Sequence, residues 1–364
     1  MKRFLSIVLA LCLLLCGCAT QPEKEKKPTV PFTDSCGRTV DIPMEIETVV
    51  PSGSYAQIML YTVCPEKVVS LSSALSRVQK QYLDKNWQEL PVTGQFYGGG
   101  SVVSYEEILK ICPDIIIDIG EAKDSIAADM DELQKMTGIP VIFIEAGIDS
   151  MAEAYDALGE LLDVKEQAGA CADYIRDTLR DAEEKTARLT ARTRTLYAQG
   201  EYGTEVLGVG SLHSEVLDYA GADNVAVLGD IASKGGNEVS IEQILLWNPE
   251  VVILSPEANY NEVFTDPVWS NLPAVQNGQV FEVPQGPYNW LDRPPSVQRI
   301  LGIKWLGNLL YPDLFNYDMA EEAQKFFHLF WHYELSEEAA KALMSNSTYR
   351  SEIERTTPGG NYEH

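Results

Sequence analysis

The chain has 364 residues, about 2.4 times the length of an average domain, so it is long enough to form two hydrophobic cores. Hydrophobic residues make up 45% and charged residues 23% of the sequence, which argues against disordered, collagenous and multi-span membrane classes. The formal net charge is −26, and a field of that sign repels phosphate backbones, so nucleic-acid binding is disfavoured.

The first 31 residues are typical of an export signal followed by a tether. Lys2 and Arg3 precede an apolar run over residues 4–16, which is too short to span a membrane. We therefore predict a signal peptide over residues 1–17. Residues 18–31 are charged, bounded by prolines and without apolar periodicity, so we expect a solvated tether there.

The end of this signal carries the motif Leu15-Cys16-Gly17-Cys18. It resembles the bacterial lipobox, in which small residues precede an invariant cysteine whose thiol takes a diacylglycerol. The resemblance implies lipidation at Cys18 and a protein anchored by that lipid to the outer face of the cytoplasmic membrane. The alternative is a plain signal peptide in which Cys18 has no special role.

One unit of sequence occurs twice, at residues 104–118 and again at residues 240–254. In each copy a serine caps a short helix, a glutamate lies in its first turn and a proline follows its end. A run rich in β-branched residues comes next and predicts a buried strand. Each half of the chain therefore contains a helix followed by a strand.

Short apolar runs alternate with helical stretches along the rest of the chain, at residues 48–50, 68–71, 141–144, 195–198 and 280–283. This alternation predicts an α/β fold with two lobes, each built on a mainly parallel sheet flanked by helices. We place the N-terminal lobe at residues 32–163 and the C-terminal lobe, including its closing helices, at residues 193–345. Residues 164–192 have apolar positions three to four apart and predict one long α-helix that joins the lobes. Residues 346–364 are polar, and we expect them to be disordered.

Four cysteines remain beyond the lipobox: Cys36, Cys64, Cys112 and Cys171. They show no CxxC spacing, and two disulfides in any of three pairings stay open. Apolar residues and a proline flank both Cys64 and Cys112, so we expect these two to be buried thiols.

Several motifs occur in order along the chain: the repeated unit in both copies and the segments 215–225, 266–281 and 288–306. Together they resemble the substrate-binding lipoproteins of bacterial ABC importers, in the iron-complex and cobalamin class whose lobes are joined by one long helix. The resemblance covers nearly all of residues 32–345. It implies a monomer that captures a metal chelate, a ferric siderophore or haem first, and delivers it to a permease with its cytoplasmic ATPase. It implies neither enzymatic activity nor a cofactor.

In that family one glutamate on each lobe forms ion pairs with arginines of the permease. The matching residues here are Glu106 and Glu242, one in each copy of the repeated unit. The alternative is that each glutamate only complements the positive end of its own helix.

Ligands of open α/β sheets bind beyond the carboxyl ends of the strands, which selects residues in the loops that follow strands. The candidates are Ser54, Tyr55, Tyr97, Tyr202, His213, Trp290 and Arg293. Aromatic rings offer stacking area and arginine offers a permanent forked charge, a combination that suits a planar or chelated anion. Packing of Tyr202 or Trp290, and an ion pair between Arg293 and Asp292, are the alternatives.

Other ligands and functions stay open at this point. A corrinoid is one alternative, and molybdate or tungstate is another, since a small oxyanion needs Arg293 and backbone amides but fewer aromatic residues. His328 and His332 lie four residues apart, yet their surroundings are aromatic and lack an HExxH glutamate, so we expect packing and no metal site. A secreted enzyme that uses Glu106 and Glu242 as acid and base is the remote alternative, because no GxSxG, HExxH or P-loop motif occurs.

Overall fold

The computed structural model describes residues 27–96, 103–232, 236–256, 258 and 260–348. The predicted signal peptide and Cys18 lie outside these ranges. None of the helices within them is long and apolar enough to cross a bilayer.

The N-terminal lobe is built on a parallel three-stranded sheet. Its strands are β3 (Val49–Pro51), β4 (Ile115–Gly120) and β5 (Val141–Glu145), in that order, and an antiparallel hairpin of β1 (Thr29–Thr33) and β2 (Thr39–Pro43) accompanies it. The helices are α1 (Ser54–Val63), α2 (Gln79–Tyr82), α3 (Tyr105–Ile111), α4 (Ile126–Thr137) and α5 (Met151–Leu162), with 3-10 turns at Pro65–Lys67 and Lys85–Glu89.

The C-terminal lobe is built on a mixed six-stranded sheet ordered β11-β10-β6-β7-β9, with β8 also paired to β6. The strands are β6 (Arg194–Gln199), β7 (Glu205–Val206), β8 (Asp223–Asn224), β9 (Asn237–Glu238), β10 (Val251–Leu254) and β11 (Val280–Glu282). Strands β6, β8, β10 and β11 run parallel, whereas β7 and β9 pair in antiparallel fashion. The predicted fold class, two lobes on mainly parallel sheets flanked by helices, is confirmed.

A single helix, α6 (Lys165–Thr186), runs from the first lobe to the second, and eight more helices complete the described part of the chain. These are α7 (Glu215–Tyr219), α8 (Ile241–Trp247), α9 (Tyr260–Val263), α10 (Pro273–Gln276), α11 (Gln298–Leu310), α12 (Pro312–Phe315), α13 (Met319–Trp331) and α14 (Glu337–Leu343), with 3-10 turns at Leu212–Ser214 and Trp269–Asn271. With 22 residues, α6 is about 33 Å long at 1.5 Å per residue. It is shorter than the expected 164–192.

Helix α6 packs along one face and is not a free bridge. Its buried face presents Ala168, Cys171, Ala172 and Ile175 to a hydrophobic core that contains residues of both lobes. Helices α1, α5, α11 and α13 contribute to the same core. Burial of apolar surface on this scale ties the lobes together more strongly than loops would.

The repeated unit has the same local structure in both copies. Helices α3 and α8 each have seven residues, and the hydroxyls of Ser104 and Ser240 accept backbone N–H bonds at their N-termini, at 3.4 and 3.2 Å. Each helix ends at a residue with positive φ, Cys112 at 49° and Asn248 at 46°. The cap satisfies an orphan N–H group of the first turn, and the left-handed residue stops the helix before the proline that follows.

Three boundaries differ from the sequence expectation. The expected tether reaches residue 31, but the chain already pairs in β1 from Thr29, because β1 forms an antiparallel ladder with β2. Residues 68–71 form isolated bridges at Val68 and Leu71 and no full strand. The tail expected to be disordered begins at 346, yet the Ser347 carbonyl accepts the Trp305 indole N–H at 2.8 Å.

The two expected buried thiols behave differently. Cys64 is fully buried after α1, as predicted. Cys112 is exposed, and the prediction for it was wrong. The physical reason is its position as the left-handed C-cap of α3, which turns the residue out of the helix and away from the core.

The close packing of residues 286–292 on α11 predicts an effect of a single methyl group. A Cβ at Gly302 would lie 1.9 Å from the Trp290 carbonyl oxygen, so Gly302→Ala should lower the free energy of unfolding by about 3 kcal/mol or more. Gly169→Ala in α6 is the control, since a Cβ there meets nothing within 4 Å and should add up to about 1 kcal/mol. Urea unfolding of both variants tests this, and equal stabilities would contradict it.

Candidate ligand-binding site

The carboxyl ends of the N-terminal strands face helices of the C-terminal lobe. Tyr219 of α7 donates its hydroxyl hydrogen to Asp149, which follows β5. Burial raises the pKa of the Tyr55 hydroxyl at the start of α1, and the positive charge of Arg299 in α11 opposes that increase. These contacts cross from one lobe to the other at the edge where ligands of α/β sheets bind.

A buried carboxylate organises the C-terminal side of this edge. Asp292 is fully buried and accepts hydrogen bonds from the Tyr197 hydroxyl at 2.7 Å and the Gln199 amide at 2.8 Å. The Arg293 Nε lies 3.5 Å and the His213 Nδ1 3.7 Å from the same Asp292 Oδ2. Two of the predicted ligand-binding residues, Arg293 and His213, are therefore brought together.

Burial shifts the pKa values of both Asp292 and His213. Burial raises the pKa of Asp292, and hydrogen bonds from Tyr197 and Gln199, together with the charge of Arg293, oppose that increase. Burial lowers the pKa of His213, the charge of Asp292 opposes this, and Arg293 and Arg299 add to the decrease. A neutral imidazole at pH 7 leaves one ring nitrogen as a donor and the other as an acceptor.

Arg299 is a site residue that the sequence reasoning missed. Its side chain is 1% exposed, and its Nη1 donates to Glu215 Oε2 at 2.9 Å. The Nε and Nη2 atoms are buried and have no hydrogen-bond partner among the described residues. Arg299 lies in a mostly apolar helix that also contains Gln298, Lys304 and Asn308. The available signal was an arginine among apolar residues in a strongly acidic protein.

Unsatisfied buried polar atoms concentrate at this edge. Within the described ranges, the side chains that carry such atoms are Tyr55, Tyr174, Gln199, His213, Ser255 and Arg299. All except Tyr174 follow strand ends or face them. Together with Arg293, which lies beside Asp292, they form a group that we call the cleft floor: Tyr55, Gln199, His213, Ser255, Arg293 and Arg299. Each unsatisfied buried group costs about 1–3 kcal/mol, so the cleft floor is a place where a bound polar group supplies the missing partners.

The other predicted ligand-binding residues are distributed differently. Ser54 begins α1 beside Tyr55 and is half-buried. Tyr202 is 69% exposed in the turn after β6. Tyr97 lies outside the described residues.

Trp290 is a correction to the predicted site. Its side chain is fully buried, its indole N–H donates to the Gly286 carbonyl oxygen at 3.3 Å, and its backbone packs against Gly302. The neighbouring Tyr288 is also buried and lies 5.5 Å from the Trp331 ring. These rings fill the core beneath the cleft floor, so Trp290 offers no stacking surface to a ligand.

The two predicted docking glutamates lie on the surface of different lobes. The Glu106 side chain is 81% exposed, and its Oε1 atom lies 3.1 Å from the Lys110 Nζ atom in α3. Glu242 is exposed at the equivalent place in α8, where its own backbone N–H and the Ser240 hydroxyl lower its pKa. Their geometry is compatible with contact to a partner from outside the protein.

A family model described as "Periplasmic binding protein" matches residues 49–287. A solved structure, the "ABC transporter solute binding protein" of Sulfurospirillum deleyianum, is 30% identical with a TM-score of 0.79, over 86% of this chain and 99% of that one. These matches confirm the family that the motifs indicated.

Two curated relatives differ in the ligand that their names give. The "Molybdate-binding protein MolA" of Haemophilus influenzae is 25% identical over 336 residues, which cover 82% of this chain and 90% of that protein. The "Vitamin B12-binding protein" of Vibrio vulnificus is 24% identical over 194 residues, which cover 53% of this chain and 67% of that protein.

The buried charge at Asp292 predicts how His213 titrates. Since Asp292 raises the pKa of His213, Asp292→Asn should lower that pKa below its value in the unmodified protein. The measurement is an NMR pH titration of the histidine rings, with His332 as internal control because Asp292 is not among the groups that shift it. An unchanged or raised pKa at His213 would contradict the arrangement.

Proposed function

The chain belongs to the periplasmic binding protein family and is the substrate-binding protein of an ABC transporter. We propose that its ligand is a compact oxyanion of the molybdate type. One observation carries the proposal. Arg293, His213 and the unsatisfied polar atoms of the cleft floor converge at the strand ends, whereas Trp290 lies in the core. The guanidiniums and hydroxyls among these groups can donate hydrogen bonds, whereas the Gln199 Oε1 atom can only accept them. Guanidinium and hydroxyl donors suit a small anion better than a large planar ligand.

The cleft floor offers donors of several kinds to such an anion. The Arg293 side chain is 38% exposed, so its guanidinium is accessible to a ligand, while Asp292 holds the Nε end of that group. Ser54 and Tyr55 open the ten-residue helix α1, whose first N–H groups favour a negative ligand. The similarity to the molybdate-binding protein of Haemophilus influenzae supports the same ligand class.

A metal chelate is the second candidate, with a ferric siderophore or haem as the first cargo and a corrinoid as the next. Tyr202 favours it, because a ring that is 69% exposed beyond β6 is free to stack on a planar ligand. The similarity to the vitamin B12-binding protein of Vibrio vulnificus also supports this candidate. The burial of Trp290 weakens it, because the largest of the expected stacking rings is lost.

Calorimetric titration of residues 19–364 with molybdate, tungstate, ferric siderophores, haem and cobalamin tests both candidates. We expect saturable binding of molybdate or tungstate, weakened at least tenfold by Arg293→Ala because a charge-assisted hydrogen bond is worth about 1.5–3 kcal/mol. The control is Arg180→Ala in α6, which removes an exposed side chain paired with Asp177 and should leave binding unchanged. Binding of a chelate alone would favour the second candidate, and no binding to any of these would refute both.

We also propose the location of the protein and its interaction partners. Lipidation at Cys18 would hold the monomer at the outer face of the cytoplasmic membrane, beside the permease and its cytoplasmic ATPase. Glu106 and Glu242 would pair with basic residues of the permease, one carboxylate for each lobe. Two exposed carboxylates on separate lobes let a permease respond to the distance between the lobes.

Docking through these carboxylates has a testable consequence. Glu106→Gln and Glu242→Gln should each lower ligand uptake by cells at least about fivefold, because a charged partner group loses its ion pair. Neither change should alter ligand affinity, since both residues lie outside the cleft floor. Glu132→Gln in α4 is the exposed control and should leave uptake unchanged. Normal uptake by the double variant would exclude this role.

A further inference from the structure

One end of the cleft floor is made by groups from opposite lobes. Tyr55 belongs to α1 in the N-terminal lobe, and Arg299 belongs to α11 in the C-terminal lobe. Burial raises the pKa of the Tyr55 hydroxyl, and the two side chains lie close enough for Arg299 to oppose that increase. Neither lobe alone would assemble this pair.

The hydrogen-bonding capacity of this pair is largely unused. A guanidinium has five N–H donors, and Arg299 uses one nitrogen, Nη1, on Glu215. Its Nε and Nη2 atoms, and the Tyr55 hydroxyl oxygen, are buried without a partner in the described part of the chain. An arginine that is 1% exposed has no bulk water to compensate for missing acceptors.

The surroundings connect this pair to the rest of the site. Arg299 contributes to lowering the pKa of His213, so its charge acts at the group that also neighbours Arg293. Desolvation raises the pKa of Glu121, Glu215 adds to this increase, and Arg299 opposes it. Arg299 is thus the positive charge that Tyr55, Glu121, His213 and Glu215 share.

We propose that Arg299 and Tyr55 form a second anion-binding locus of the same site, which accepts the distal oxygens of a doubly charged oxyanion. The proposal rests on the function proposed above. Arg293 and His213 hold one side of the ligand, and the Arg299 Nε and Nη2 atoms with the Tyr55 hydroxyl hold the other. Because the second locus draws on both lobes, an anion seated there links the lobes through its own oxygens.

This arrangement also specifies the charge of the ligand. Oxygens of a dianion are stronger acceptors than those of a monoanion of the same shape, so three added donors favour the dianion. Molybdate and perrhenate are tetrahedral oxyanions of similar size that differ in charge. The second locus therefore discriminates between them more than the first locus does alone.

The test compares two hydroxyl deletions by titration calorimetry with molybdate and perrhenate. Tyr55→Phe removes the hydroxyl donor of the second locus and leaves the Arg299 donors in place. Tyr174→Phe removes another buried, unsatisfied hydroxyl, which lies on α6 against Phe326 and Phe330. We expect Tyr55→Phe to weaken molybdate binding about tenfold and perrhenate binding less, with Tyr174→Phe within about twofold of the unmodified protein. Arg299→Lys, which keeps the charge and loses the fork, should also weaken molybdate binding, with folding checked by thermal unfolding.

Each outcome separates this proposal from the function on which it rests. If the unmodified protein binds molybdate and Tyr55→Phe binds it as tightly as Tyr174→Phe does, the second locus is wrong and these groups hold only an internal water. If the unmodified protein binds a siderophore, haem or cobalamin and neither molybdate nor tungstate, the oxyanion assignment fails, and the same two variants decide the second locus with that ligand. If it binds none, both proposals fail.

Discussion

The site depends on one buried carboxylate. Asp292 has no contact with solvent, and its cost of burial is offset by hydrogen bonds from Tyr197 and Gln199 on strand β6. These two bonds attach the loop that carries Asp292 to the end of the sheet. Arg293 and His213 are then placed by their closeness to the same oxygen. A structural interaction in the core thus determines where Arg293 and His213 lie.

The hydrophobic core carries this constraint across the molecule. Helix α6 buries its apolar face in a core shared by both lobes, and α11 packs in that core with Trp290 lying over Gly302. Arg299 projects from the same helix toward Tyr55 of the other lobe. Trp290, one of the rings expected to stack on a ligand, instead lies in the core, and the groups of the cleft floor are polar. This distribution is the reason for proposing a compact anion ahead of a planar chelate.

Much of the fold was predictable, because its signals are local. The caps at Ser104 and Ser240, the prolines after the two helices and the β-branched runs that follow act within about fifteen residues of one another. The strand expected at 68–71 was wrong because its pairing is limited to single bridges with distant residues. The end of the linking helix was misplaced by several residues, since helix ends depend on the packing of the last turn.

The sequence by itself determined the α/β class, the repeated units, the family and two residues of the cleft floor that converge as expected, Arg293 and His213. Only the tertiary structure decided that Trp290 lies in the core and that Arg299 comes close to Tyr55. The physical reason is that burial and unsatisfied hydrogen bonds are properties of a residue's neighbours in space. For Trp290 the neighbour is Gly302, and for Arg299 it is Tyr55, which lies far away along the chain.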